Sequence, residues 1–482
     1  MTGKTGPAAA RRAARAARPA RRPGSGDPAR RAAFDVLAAV GQRSAYANLL
    51  LPRLLAERGL TGRDAAFATE LCYGTLRGQG TYDAVLAECS DRDPGQVDPP
   101  VRDVLRLGTH QLLATRVKPH AAVASSVDLA REVAGPAPAG FVNAVLRQVA
   151  SRDLAAWVAA VAPARAADPA GHLAVRFSHP RWIVTALSHA LGEDEAGPLT
   201  RTEAALAADN TPPRVSLAAI PGLASPAELV TGRSGQPARW SPFGAYLDQG
   251  DPGGVPAVAQ RRAVVQDEAS QLAAQALAGA ELAGGPDRRW LDACAGPGGK
   301  ATLLAGLAAR RRARLLAADL REHRAGLARS AAAGTGRAGV VTADAAVPPW
   351  RPGTFDRVLA DVPCSGLGAL RRRPEARWRK TPADVAALAG LQRRLLGAAV
   401  AAARPGGVIA YVTCTPHVAE TREVVADVTA ARGDVVLLDA PGVLAEVPGL
   451  RCPAPDGRYA QFWPHVHGTD AIFIALLRRA AG

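Results

Sequence analysis

The 482-residue sequence predicts a chain of α + α/β class. It should hold an all-helical front domain, a small mixed connector subdomain and a C-terminal domain with a seven-stranded α/β sheet. Three observations carry this class. Between residues 29 and 150, apolar side chains recur at helical spacing with no strand-like alternation. From about residue 256, short apolar runs alternate with Ala/Leu/Arg stretches of helical character. The length also exceeds one ordinary domain, so two or three are expected.

Residues 1–28, MTGKTGPAAARRAARAARPARRPGSGDP, are low-complexity Ala, Arg, Pro and Gly. They cannot bury a core and are predicted to form a disordered basic tail. In the helical domain, 29–150, Phe141, Val142, Val145 and Val149 share one helix face, as do Val123, Val127 and Ala130. Gly and Pro punctuation falls between such segments, in RGLTGRD and DRDPGQVDPP. Residues 151–255 form the predicted connector. There VRFSHPRWIVTAL reads as a helix capped near Ser178 with Pro180 in its first turn, and NTPPRVSLAA as a turn and then a strand. In 256–482 the strand-like runs are RRWLDACAG, RARLLAAD, AGVVTAD, FDRVLADVP, GGVIAYVTCT, VVLLDA and AIFIALLRR. Such runs with intervening helices predict a doubly wound, largely parallel sheet, whose ligands bind at the carboxyl ends of the strands.

Lys and Arg number 59 against 43 Asp and Glu, for a net charge of +16. A polyanion, most simply a nucleic acid, is the expected partner. The bland alternative is a solvated, Arg-rich surface. No apolar run reaches the roughly 18 residues of a membrane span, and no secretory signal pattern is present. The Arg-rich start would suit an organelle transit peptide but lacks the serine such peptides favour. A cytoplasmic monomer with no membrane association is expected. Six widely spaced cysteines form neither a disulfide framework nor a CxxC zinc pattern, so no metal is expected. In a reducing cytosol, a cysteine at a special position is free to react.

The run LDACAGPGGK places Cys294, Ala295, Gly296, Pro297, Gly298, Gly299 and Lys300 between the first strand and a helix. Glycines there let a backbone approach a ligand and turn tightly into a helix N-terminus. The spacing is neither the dinucleotide GxGxxG nor a P-loop. Asp319 ends the second strand, where a carboxylate would hold two ribose hydroxyls, and Asp344 ends the third, placed for an adenine edge. A nucleoside without a pyrophosphate suits this set, and S-adenosylmethionine is such a ligand.

With CAGPGGK, ADVPCSGLG and YVTCT in order, the chain resembles the RNA cytosine-5 methyltransferases of the Sun (RsmB-like) group. VVQDEASQLA, LRRRPEARWR and WPHVHGTDAIF extend the resemblance, which covers nearly everything from about residue 30. The segments GRDAAFATELCYGTLRGQGTYD, VRDVLRLGTHQLLATRVKPHAAVASSVDLAR and GFVNAVLRQ resemble the NusB-type RNA-binding helical domain. Together these imply a Rossmann-like methyltransferase domain behind a NusB-like module, and 16S rRNA or a small-subunit precursor as substrate. The family usually has Ser where this chain has Thr415, and often Glu-Asn where it reads Glu420-Thr421.

Cytosine C5 is too weak a nucleophile to take a methyl group unaided. A thiolate adding at C6 places carbanion character on C5, and a second group must then assist release. The resemblance implies that Cys414 is the nucleophile and Cys364 the release helper; DNA cytosine-5 enzymes use the opposite order. It also implies that Lys300 and Asp361 contact the target base or the cofactor. Arg371, Arg372, Arg373 and Arg377, with Trp378 among them, suit phosphates and a stacked base of single-stranded RNA. A solvated basic helix start is the plainer account. Two other functions fit the same sequence: the same chemistry on tRNA, and a non-catalytic RNA-binding ribosome assembly factor with a relic methyltransferase domain.

Overall fold

The computed structural model describes residues 26–90, 92–248, 250–452, 454 and 457–481. The expected basic tail lies outside these except for Gly26–Pro28. There the Asp27 side chain accepts hydrogen bonds from the backbone of Ala29 and Arg30 and starts the first helix, Pro28–Arg43. The chain divides into two compact units at Ala159/Ala160.

The first unit is helical, with Gly62–Glu88, Pro99–Ala114, Pro119–Ala134 and Ala139–Val149 as its main elements. Proline opens three of its helices, at Pro28, Pro99 and Pro119, where its missing N–H costs nothing. The faces expected from spacing are buried: Val123, Val127 and Ala130 on one helix, Val142, Val145 and Val149 on the next. Phe141 is the exception, half-buried with the Arg92 guanidinium 5.6 Å from its ring centre.

The second unit carries two sheets. The smaller is antiparallel, in the order β2 (Gly235–Pro237), β3 (Gly244–Leu247), β1 (Val215–Ala219), β4 (Ala263–Val265). The strand expected after NTPPR is β1. The connector is not a separate body: the unit boundary falls inside it, and β4, beyond residue 255, completes its sheet by pairing with β1. Ser178 is no cap either. It is buried with φ 57°, and the helix Arg181–Leu191 starts after Pro180.

The larger sheet holds all seven expected strands: β5 (Arg289–Asp292), β6 (Arg314–Asp319), β7 (Ala338–Thr342), β8 (Phe355–Asp361), β9 (Ala403–Thr413), β10 (Val435–Leu437) and β12 (Phe473–Arg479). A two-residue strand, β11 (Ala460–Gln461), adds to β12. The order is β10-β12-β9-β8-β5-β6-β7, parallel from β9 to β7 and antiparallel at β12. The inner strands β8 and β9 are buried almost throughout, as expected for strands covered on both faces. Helices Glu268–Gly279 and Gly299–Arg310 cover one face, and Pro382–Ala402 and Arg422–Ala430 the other. Helix Pro382–Ala402 meets the length and composition of a membrane span, which a search for one unbroken apolar run misses. Its Val385, Ala389, Leu396 and Val400 are buried, with the last three in the core beside β8 and β9. From β5 the chain winds outward to β6 and β7, then returns to place β8 on the other side. That reversal opens a crevice at the carboxyl ends of β5 and β8.

Candidate active site

The crevice is built first by the turn after β5. Gly298 has φ 116°, and a Cβ there would stand 2.8 Å from the Ala328 backbone. A Cβ on Gly296 would stand 2.4 Å from Asp319 Oδ2. Both positions therefore require glycine. Asp319, at the end of β6, accepts hydrogen bonds from Gly296 N (3.0 Å) and Arg321 N (2.9 Å), so it ties the loop to the next strand. Asp344 differs from expectation: β7 ends two residues earlier, and Asp344 is exposed, accepting from Ala346 N.

Asp292, which the sequence reading passed over, is the most confined carboxyl of the loop. It is wholly buried; Oδ1 accepts from Cys294 N at 3.3 Å, and Oδ2 has no partner among the described residues. Burial, helped by the nearby Asp361 charge, pushes its pKa up to about 8. Its place inside LDACAGPGGK was the available signal. Cys294 packs half-buried, its thiol pushed far up by burial.

The two cysteines meet because β8 and β9 are parallel neighbours in the register Asp361↔Val412. Cys364 lies three residues past Asp361, and Cys414 two past Val412. Their sulfurs are 3.3 Å apart, and both residues are half-buried. Either sulfur can donate across this contact, which lowers the Cys414 pKa against the opposing effect of burial. Lys300 adds to the lowering, whereas Asp361 and Asp470 oppose it. The same contact and burial raise Cys364 well above an ordinary thiol. Lys300 Nζ stands 2.9 Å from Asp361 Oδ2, and this pairing keeps its pKa raised although burial acts to lower it.

A second layer holds the two cysteine loops together. The hydroxyls of Ser365 and Thr415, each next to a cysteine, share a hydrogen bond of 3.0 Å. Buried Glu420 accepts from Ser365 N (2.8 Å), from the Ser365 hydroxyl and from Gln392 Nε2 (3.0 Å). Gln392 also donates to Pro363 O, and the Tyr411 hydroxyl donates to Glu420 O at 2.7 Å. The sequence reading noted Glu420 only as part of a departure from the family pattern. The paired hydroxyl positions after Cys364 and Cys414 were the signal for this clamp.

A family model described as 16S rRNA methyltransferase RsmB/F matches residues 280–478, and a NusB family model matches residues 27–151. Ribosomal RNA small subunit methyltransferase B of Pseudomonas putida is 34% identical over 470 residues, covering 94% of this chain and 98% of its own. The chain belongs to the RsmB/F family of 16S rRNA methyltransferases. A Mycobacterium tuberculosis protein named as a methyltransferase, MT1451, is 52% identical over 454 residues, 94% of this chain and 97% of its own. The crystal structure of PH0851 matches with a TM-score of 0.76 at 20% identity, covering 95% of this chain and 99% of that one; it shares the fold.

In this RsmB/F-family chain, the arginine-rich segment after Cys364 departs from expectation. Arg371 and Arg377 are buried. Arg371 donates to Gly468 O (2.9 Å) and faces Asp470 (3.5 Å) and Asp267 (3.8 Å). Arg377 donates to the carbonyls of Ser178 (3.2 Å) and Asp209 (3.0 Å). Arg372 is paired with Asp470. The 3-10 turns Leu367–Ala369 and Pro374–Trp378 fold the segment back into the domain, so Arg371 and Arg377 are structural ties and not phosphate contacts. Arg373 and Trp378 remain exposed.

Proposed function

We propose that this chain transfers a methyl group from S-adenosylmethionine to C5 of a cytosine in 16S rRNA, through a covalent bond between Cys414 and cytosine C6. The observation that carries the reading is the sulfur pair at 3.3 Å, with Cys414 lowered by that contact. A free thiol is only a few per cent thiolate at neutral pH, so this is the activation that addition needs.

The residues present suit the cofactor. The turn 294–299 packs Gly296 against Asp319 and Arg324 and Gly298 against Ala328 and Ala331, which fixes its backbone beside the strand ends where the cofactor would lie. Asp319 would take the ribose hydroxyls, and Asp344, two residues past the end of β7, would have to reach the adenine edge from an exposed position. The cofactor supplies an electrophilic sulfonium methyl. The Cys414 thiolate would add to C6 and place the electron pair on C5; as C5 takes the methyl, the methyl–sulfur bond would break and leave S-adenosylhomocysteine. The Lys300–Asp361 pair at the end of β8 suits the cytosine N3/N4 edge, where charge develops during addition. A base then takes the C5 proton, and the Cys414–C6 bond breaks with its electron pair returning to sulfur. Cys364, its sulfur 3.3 Å away, would donate its S–H to the departing thiolate. The target base must leave its stack to reach the half-buried cysteines. The NusB-like unit would hold the RNA, and Arg373 and Trp378 offer it a charge and a stacking face.

Bisulfite sequencing of 16S rRNA from cells with and without the protein tests the reading. One cytosine should lose protection in its absence. Loss in tRNA instead would move the substrate, and no loss in any RNA would overturn cytosine-5 methylation.

A further inference from the structure

Three arginines stand side by side at the amino ends of β5, β6 and β7, the end of the sheet opposite the cysteines. Parallel pairing sets Arg289 beside Arg314 and Leu315 beside Ala338, so Arg337, the residue before β7, falls next to Arg314. Adjacent strands lie about 4.8 Å apart, and the shared register turns all three side chains to one face of the sheet. All three are exposed, and none makes an ion pair among the described residues. The carboxylates at this end of β5 and β8 are already committed: Asp287 to Arg311 and Arg357, and Asp356 to Arg404. Like charges side by side on neighbouring strands repel, so the fold carries a cost here that no described carboxylate offsets.

The three line one groove of about 460 Å³ together with Leu316 and Gly339, which lie one step further along the same face. Leu316 is half-buried and Gly339 exposed, because little covers this part of the sheet. On this face helix Pro382–Ala402 packs over β8 and β9. Residues 343–354, which join β7 to β8, form no helix that would cover β6 and β7. The open face is therefore the one that carries the arginines.

We propose that this row is a second RNA contact, which grips the phosphate backbone of the substrate at the end of the sheet away from the chemistry. The assignment rests on the RNA substrate proposed above and not on the cysteine chemistry. Guanidinium groups bind phosphate oxygens through paired N–H donors, and three of them in line suit a chain of phosphates better than a lone anion. Contacts to phosphate position an RNA without reading its bases, so the row sets affinity and orientation and not the choice of cytosine. From Arg314 to Asp319 is five residues of strand, about 17 Å. An RNA that meets the row while its cytosine lies at the cysteines must pass round β7, the edge of the sheet.

Filter binding of 16S rRNA to the full chain over about 50–200 mM salt tests the assignment. Wild type is compared with a triple variant, Arg289→Gln, Arg314→Gln and Arg337→Gln. The variant should bind about tenfold more weakly, and the slope of log Kd against log salt should fall by about 2–3, near one for each lost phosphate contact. Its melting temperature should not fall, because a mutual repulsion has been removed, and S-adenosylhomocysteine should bind as before. Arg289→Lys, Arg314→Lys and Arg337→Lys together keep the charges and should keep the slope. Equal affinity and slope in wild type and the Gln variant would leave the row a solvated surface and overturn the assignment. Weaker RNA binding together with a lower melting temperature would give the arginines to the fold and overturn it as well. A wild-type chain that bound no RNA would bring down the RNA reading itself, and this assignment with it.

Discussion

Glu420 receives both the backbone N–H and the hydroxyl of Ser365, the residue next to Cys364. Through Ser365 it also reaches Thr415, the residue next to Cys414. A single buried carboxylate thereby spans both strand ends that carry the sulfur pair.

Replacing Glu420 should therefore act on stability and on thiol chemistry together. Glu420→Ala leaves the Ser365 N–H without its acceptor, at about 1–3 kcal/mol for a buried group, and leaves Gln392 Nε2 with Pro363 O alone. Urea denaturation should show a loss of that order. Glu420→Gln keeps an acceptor oxygen and should cost less. In both variants the pH at which Cys414 becomes half-alkylated by iodoacetamide should rise, because Cys364 is no longer held against that sulfur. A destabilised protein with unaltered Cys414 titration would confine Glu420 to the fold.

The two cysteines should fail differently. Cys414→Ala removes the nucleophile, so neither methylation nor a covalent protein–RNA band should appear. Cys364→Ala removes one of the groups that lower Cys414, so addition should slow, but Lys300 still favours the thiolate and release loses its donor, so the adduct should accumulate on denaturing gels with labelled RNA and S-adenosylmethionine. An adduct in Cys414→Ala and none in Cys364→Ala would exchange the roles.

Asp292 makes stability depend on pH in a set direction. Its folded pKa, about 8, lies above the ordinary carboxyl value near 4, so the folded state binds the extra proton between those limits. Its contribution is fully present below about pH 4 and is lost as pH rises through 8. Asp292→Asn keeps an acceptor for Cys294 N and removes the titration. Its melting temperature should fall less than wild type between pH 6 and 8. Parallel curves would show that the charge is stabilised in another way.

Asp319→Ala should weaken S-adenosylhomocysteine by tenfold or more while sparing RNA. It removes the acceptor for the ribose and frees Gly296 N, and bonds to a charged group are worth about 1.5–3 kcal/mol. Calorimetry would read it, and an unaltered dissociation constant would move the ribose site elsewhere.

RNA binding should weaken steeply between about 50 and 200 mM salt, because phosphate contacts release counterions. It should also weaken when residues 1–159 are removed. Filter binding would measure both, and equal affinity of the truncated chain would assign the helical unit another partner.

The sequence by itself determined the order of elements, the glycine turn and the two strand-end cysteines. Apolar runs, proline at helix starts and glycine at tight turns act within a few residues, so they can be read locally. Tertiary structure alone decided which charged groups face solvent. Arg377 looks like a phosphate ligand in LRRRPEARWR, yet its partners are carbonyls 199 and 168 residues away. Glu420 looks like surface until Ser365 arrives from another strand, and β4 finds its sheet only because β1 lies ready beside it. Burying a charge or a strand edge depends on partners brought together by the fold, and local sequence holds no record of them.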